Sequence, residues 1–220
     1  MRKFQTLDTE VLRANHMRVI AGQYRSRPLR SLPGMDLRPT ADKLRQALFN
    51  VLTPGDPDAL AGSVWLDLFA GTGAVGIEAL SRGAGMVYFV EADADAAQLV
   101  KQNVQSLGIE SGFRVVKQDV VRALKALQAE MVSANFIFLD PPYRMENAYR
   151  DTLSLLGESS IVKPETIVIA EHFKKFDSGE SFGALRRYRR LAQGDAVLSF
   201  YRVEQAADHL PTSEIPELDA

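Results

Sequence analysis

Five short apolar runs, at residues 64–69, 86–90, 114–117, 136–139 and 166–170, alternate with stretches whose apolar positions recur at helical spacing. Those stretches are 75–82, 94–107, 120–129 and 149–156. Such alternation predicts an α/β fold with a mostly parallel sheet and helices on both faces. The runs are mostly apolar with no regular polar alternation, as expected of strands buried on both sides. Residues 188–192 and 196–201 flank Gln193-Gly194-Asp195 and read as a β-hairpin, so the sheet is expected to end on a reversed strand. A length of 220 residues holds this as one large domain with a small appendage.

Two motifs follow strands in this scheme. Asp67-Leu68-Phe69-Ala70-Gly71-Thr72-Gly73 ends the first run, and Gly71 to Gly76 fits G-x-G-x-x-G at a strand-to-helix turn. Glycines there let backbone approach a nucleotide-like cofactor, and Glu91, at the end of the next run, is placed to accept bonds from ribose hydroxyls. A dinucleotide reading shares all of this. Asp67 separates the two, because a carboxylate beside the glycines repels a pyrophosphate and attracts the ammonium of a methionine moiety. Asp119, after the third run, is a candidate acceptor for an adenine amine and equally a helix N-cap. No Lys follows the glycines, so this is not a P-loop. Phe69, Ala70 and Thr72 complete the predicted S-adenosyl-L-methionine cradle.

Asp140-Pro141-Pro142-Tyr143 ends the fourth run, on the same edge of the predicted sheet. Two prolines stiffen the turn and leave carbonyls that only accept. Asp140 and the Pro141 carbonyl are placed to take the two hydrogens of an exocyclic base amine, and Tyr143 to stack on the base. The pair of motifs points to methyl transfer onto such a nitrogen.

The rest of the chain narrows the class. No apolar run is long enough to span a membrane, and the N-terminus lacks the apolar middle of a signal peptide, so a cytoplasmic protein is expected. With no Cys and three scattered His, disulfides, thiolate chemistry and a structural zinc site are excluded. Residues 1–45 hold ten Lys/Arg against four acids, whereas the remainder holds 16 against 24. A basic arm on an acidic body suggests that the arm meets a polyanion.

Residues 1–16 carry little pattern and read as a poorly ordered extension. Residues 17–53 form the basic arm: two short strands at 17–21 and 24–29 around Gly22-Gln23, then a helix opened by Leu37-Arg38-Pro39-Thr40 and stopped by Thr53-Pro54-Gly55-Asp56-Pro57. The cofactor-binding domain is expected over 54–203, and 204–220 reads as an acidic flexible tail. No coiled-coil pattern or large apolar stripe stands out, so a monomer is expected.

Taken in order, Asp67 to Gly73, Glu91, Asp119 and Asp140-Pro141-Pro142-Tyr143 resemble the amino-methyltransferases of Rossmann-like class I fold. The texts Arg18-Val19-Ile20-Ala21-Gly22-Gln23-Tyr24-Arg25-Ser26-Arg27-Pro28-Leu29 and 37–50 are similar to the bacterial 16S rRNA guanine-N2 methyltransferases of the small ribosomal subunit. The resemblance runs from about Arg18 to Arg202. It implies a seven-stranded sheet with a reversed last strand, S-adenosyl-L-methionine as cofactor, and a guanine amine of rRNA, within a small-subunit ribonucleoprotein, as acceptor. Arg18, Arg25, Arg27, Arg30, Arg38, Lys43 and Arg45 then become candidates for phosphate contacts, with Arg186, Arg187, Arg189 and Arg190 as a second patch. DNA adenine-N6 or protein glutamine-N5 transfer, a non-catalytic RNA-binding role and an NAD-dependent oxidoreductase remain the alternatives.

Overall fold

The structure is a computed structural model that describes residues 17–31, 39–142 and 144–204. The extension 1–16, the tail from 205, Arg38 and Tyr143 lie outside the described residues. The central strands are β1 (Val64–Leu68), β2 (Met86–Val90), β3 (Phe113–Val116), β4 (Ala134–Leu139) and β5 (Val162–Phe173), all parallel. Three strands complete the sheet, β6 (Ser181–Phe182), β7 (Leu185–Gln193) and β8 (Ala196–Val203), in the order β3-β2-β1-β4-β5-β8-β7-β6. The expected reversed strand is β8, which inserts antiparallel between β5 and β7. The count is eight rather than seven, because β6 adds a two-residue antiparallel edge against β7. A strand that short leaves no alternation to read in the sequence.

Helices cover both faces. On one lie α1 (Pro39–Leu52), α2 (Ala74–Ser81) and α3 (Ala94–Ser106), which bury Leu44, Leu48, Phe49, Ile77 and Val100 against Trp65, Phe89, Phe138 and Ile169. On the other lie α4 (Val120–Ala129) and α5 (Glu146–Gly157), which bury Leu124, Leu127, Tyr149 and Leu153 against Leu66, Leu68, Leu139 and Ala170. Alternate residues of the central strands therefore feed opposite cores, which explains why the runs are mostly apolar. Among the described residues no helix is long and apolar enough to cross a membrane.

The arm departs from expectation. In place of two strands, residues 17–29 form a loop with a single antiparallel bridge, Arg18 to Pro28. The reason is where its backbone donors go. Ile20 and Ala21 N–H donate to the Glu78 carboxylate at 2.7 and 2.9 Å. Gln23 N–H donates to the Ser81 carbonyl at 2.7 Å and Tyr24 N–H to the Ser81 hydroxyl at 3.0 Å. Donors claimed by α2 are lost to a strand ladder. Gly22, at φ +80°, allows the approach, since a Cβ there would stand 1.8 Å from the Ser81 carbonyl oxygen.

Candidate active site

The glycine motif closes tightly. Phe69, Gly71 and Gly73 all take positive φ, at 63°, 55° and 77°. For Phe69 this is an unfavoured conformation, held by the Ala70 N–H to Val90 carbonyl bond (2.9 Å) and the Gly73 N–H to Ala70 carbonyl bond (2.7 Å). Gly76 serves another need. A Cβ at Gly76 would meet the Phe89 ring at 2.4 Å, Val87 at 2.8 Å and the Asp67 carboxylate at 3.0 Å. The third glycine thus sets how closely α2 packs on β1 and β2. Thr72 is buried, and its carbonyl accepts from the Asn103 amide at 2.9 Å.

Glu91 ties the end of β2 to this loop. Its carboxylate accepts from Gly71 N–H at 2.8 Å and Asp93 N–H at 2.9 Å, leaving a lone pair on each oxygen for further donors. Asp119 caps α4, accepting from Arg122 N–H at 3.0 Å, so the cap reading holds; its carboxylate also borders a cavity of 710 Å³ that Phe69, Val121, Arg144 and Met145 help to line.

Leu68 pairs with Val90 on one side and Leu139 on the other, and Leu139 with Ala170. The residues that follow these pairs share one edge of the sheet, which brings the Phe69-to-Gly73 loop beside Asp140, Pro141 and Pro142. Asp67, Asp140 and Glu171 form a staggered row of carboxylates: Asp140 and Glu171 follow the paired Leu139 and Ala170 as neighbours, while Asp67, paired with Phe138, stands two residues before their level. All three face the core under α1: Phe138, which does so, pairs with Asp67, and Phe138 and Ile169 lie two residues before Asp140 and Glu171. Asp67 is 2% exposed and accepts from Gly76 N–H at 2.9 Å. Burial pushes its carboxyl up to about 7, against the pull of that bond and with help from Glu91. Burial, then the charges of Glu171 and Asp67, hold the Asp140 carboxyl well above the usual range. Burial also lifts Glu171 to about 7, although the Arg45 guanidinium opposes it. Like charges this close in a low dielectric hold protons that exposed carboxylates would have shed.

The basic residues divide. Arg18, Arg25, Arg27, Arg30 and Lys43 are exposed, and Arg27 also donates to the Ser106 carbonyl at 3.0 Å. Arg45 corrects the expectation of a phosphate contact. It is 5% exposed, bonds Asp42 and the Arg18 carbonyl at 2.8 and 2.7 Å, and lies 3.9 Å from Glu78. In the second patch, Arg186 pairs with Glu204 and Arg187 with Asp177 and Glu180, while Arg189 and Arg190 are exposed. Glu171, absent from the sequence reading, had one signal: like Asp140, it is an acid directly after an apolar run.

Known proteins match this chain along most of its length. It is 36% identical over 186 residues to "Putative rRNA methyltransferase YlbH" of Bacillus subtilis, covering 84% of this chain and 98% of that protein. It is 35% identical over 158 residues to "Ribosomal RNA small subunit methyltransferase D" of Escherichia coli, covering 72% of this chain and 75% of the relative. Among solved structures, a "Putative methyltransferase yhhF" from Escherichia coli superposes with a TM-score of 0.70 at 28% identity, over 86% of this chain and 98% of that one. With residues 17–202 matching its pattern, the chain belongs to the family described as Conserved hypothetical protein 95.

Proposed function

We propose that this chain is an S-adenosyl-L-methionine-dependent methyltransferase that modifies the exocyclic N2 of a guanine in small-subunit 16S rRNA. The observation that carries this reading is the convergence of the glycine loop after β1 and the Asp140-Pro141-Pro142 turn after β4 on one edge of paired strands. The names of the relatives from Bacillus subtilis and Escherichia coli support rRNA as the substrate class.

The residues present fit this cofactor better than a dinucleotide. Asp67, Asp140 and Glu171 crowd negative charge at the strand ends. A pyrophosphate brought there is repelled, whereas a cation relieves the crowding. Asp67 suits the ammonium, Glu91 the ribose hydroxyls and Asp119 the adenine amine, with Phe69, Ala70, Gly71, Thr72 and Gly73 shaping the backbone around them. When bound, the cofactor supplies an electrophilic methyl group on a sulfonium.

The chain's own part is positioning and charge. Asp140 and the Pro141 carbonyl accept the two N2 hydrogens and aim the nitrogen, Pro142 keeps the turn rigid, and Tyr143 stacks on the base. A base held in structured RNA leaves its stack to enter. As the N–C bond forms, N2 becomes positive and sheds one proton; the raised Asp140 carboxylate is the acceptor in reach. Arg18, Arg25, Arg27, Arg30, Arg38 and Lys43 contact RNA phosphates. Among the described residues the exposed large apolar side chains are Val121 and Met145, which border one cavity, with Met131 and Tyr188, too few for an extensive subunit interface, which supports a monomer.

Asp140→Ala tests the assignment. The variant is expected to bind S-adenosyl-L-methionine within about threefold of the parent while transfer falls by at least roughly 1,000-fold. Near-parental turnover contradicts the role given to Asp140.

A further inference from the structure

Glu171 has no part in the amine clamp, yet three features bring it there. First, β4 and β5 run parallel with Leu139 opposite Ala170, so Asp140 and Glu171 follow as neighbours, with strands about 4.8 Å apart. Second, the buried Tyr149 hydroxyl donates to the Glu171 carbonyl at 2.8 Å and reaches the Pro141 carbonyl at 3.4 Å, fixing the clamp and the end of β5 to one anchor. Third, Arg45 approaches from α1. Its guanidinium, 5% exposed, lowers the cost of charge on Glu171, and its Nε makes no hydrogen bond.

A half-buried carboxylate beside an amine clamp discriminates among bases. The pairing edge of guanine presents N1–H next to the N2 hydrogens, an unbroken set of donors. Adenine presents a lone pair at N1 beside its amine, and cytosine one at N3. Carboxylate oxygens accept the first and repel the other two.

We propose that Glu171 is a specificity-determining residue that accepts N1–H of the target guanine while Asp140 and the Pro141 carbonyl accept the hydrogens of N2. This rests on the guanine-N2 reading above. Arg45 is then a positioning residue whose charge helps keep Glu171 ionised when the base is in place.

The test compares guanine with 2-aminopurine, which keeps the N2 amine and lacks the N1 hydrogen. Small subunits are reconstituted around 16S rRNA carrying either base at the modified position. The parent enzyme is expected to prefer guanine on the order of 100-fold in kcat/KM. In Glu171→Gln, read at saturating S-adenosyl-L-methionine, an amide N–H faces the N1 lone pair, and the preference narrows at least roughly tenfold; a change in cofactor binding acts on both bases alike and leaves that ratio untouched. Glu171→Ala lowers transfer to guanine and does not lower transfer to 2-aminopurine, whose N1 lone pair no longer faces a carboxylate. A purely structural role lowers both substrates together and leaves the ratio fixed; that outcome, or a parent enzyme that treats the two bases alike, overturns the proposal. Parental label outside N2-methylguanosine overturns the guanine-N2 reading as well, whereas label in N2-methylguanosine with a fixed ratio overturns the role of Glu171 alone.

Discussion

The side-chain amide of Asn103 closes a reciprocal pair with the backbone of Arg30. Its oxygen accepts from Arg30 N–H at 2.8 Å and its nitrogen donates to the Arg30 carbonyl at 3.1 Å. The same nitrogen donates to the Thr72 carbonyl in the glycine loop. One fully buried side chain on α3 therefore joins the basic arm to the proposed cofactor cradle. Met17 adds a second link, its sulfur accepting from the Thr72 hydroxyl at 3.3 Å.

Removing that link should be felt at both ends. Asn103→Ala strands the Arg30 N–H and two carbonyls and is expected to cost about 2–4 kcal/mol in urea unfolding, with weaker S-adenosyl-L-methionine binding. A loss below about 0.5 kcal/mol means that water replaces the amide and the arm is not tied to the loop.

Gly76→Ala separates packing from helix propensity. Alanine favours a helix by up to about 1 kcal/mol, but its Cβ would stand 2.4 Å from the Phe89 ring. Because that neighbour is core, a net loss of about 1–2 kcal/mol is expected, together with weaker cofactor binding as Asp67 and the loop shift. A stabilised variant would show that α2 has room to move away from β2. Thermal unfolding with and without cofactor reads both effects.

The pH dependence follows from the carboxylate row. Asp67 moves from 3.8 to about 7 in the fold, so between those values the folded state binds more protons than the unfolded one. Stability of the cofactor-free protein therefore falls as pH rises across that window and flattens above about pH 7. A cation favours the ionised row, so S-adenosyl-L-methionine binds more tightly as pH rises through about 7, and the neutral sulfur of S-adenosylhomocysteine gains less. Asp67→Asn should flatten the stability curve, raise the melting temperature by a few degrees at about pH 8 and weaken cofactor binding about tenfold or more. Calorimetric curves that run parallel for parent and variant contradict the assignment.

The parallel sheet was readable because its central strands feed two cores and so are mostly apolar on both sides. The glycine loop was readable because Gly71 and Gly73 meet a conformational need and Gly76 a packing need, at fixed spacing. Arg45 was misread for a physical reason. Charge in a sequence says nothing of burial; helix spacing sets Asp42 beside Arg45, but only the fold brings Glu78 there and closes the site. The arm was misread because its hydrogen-bond partners, Glu78 and Ser81, lie more than fifty residues away. Glu171 escaped notice because no motif surrounds it; its meaning comes from Asp140 on the neighbouring strand, which sequence order places 31 residues earlier.

The most direct test of the central claim is transfer of radiolabelled methyl from S-adenosyl-L-methionine to small ribosomal subunits that lack the modification, followed by nucleoside analysis. The account predicts label in N2-methylguanosine, lost in Asp140→Ala. Absence of label with cofactor binding intact, or label recovered in DNA adenine or protein glutamine instead, would contradict it.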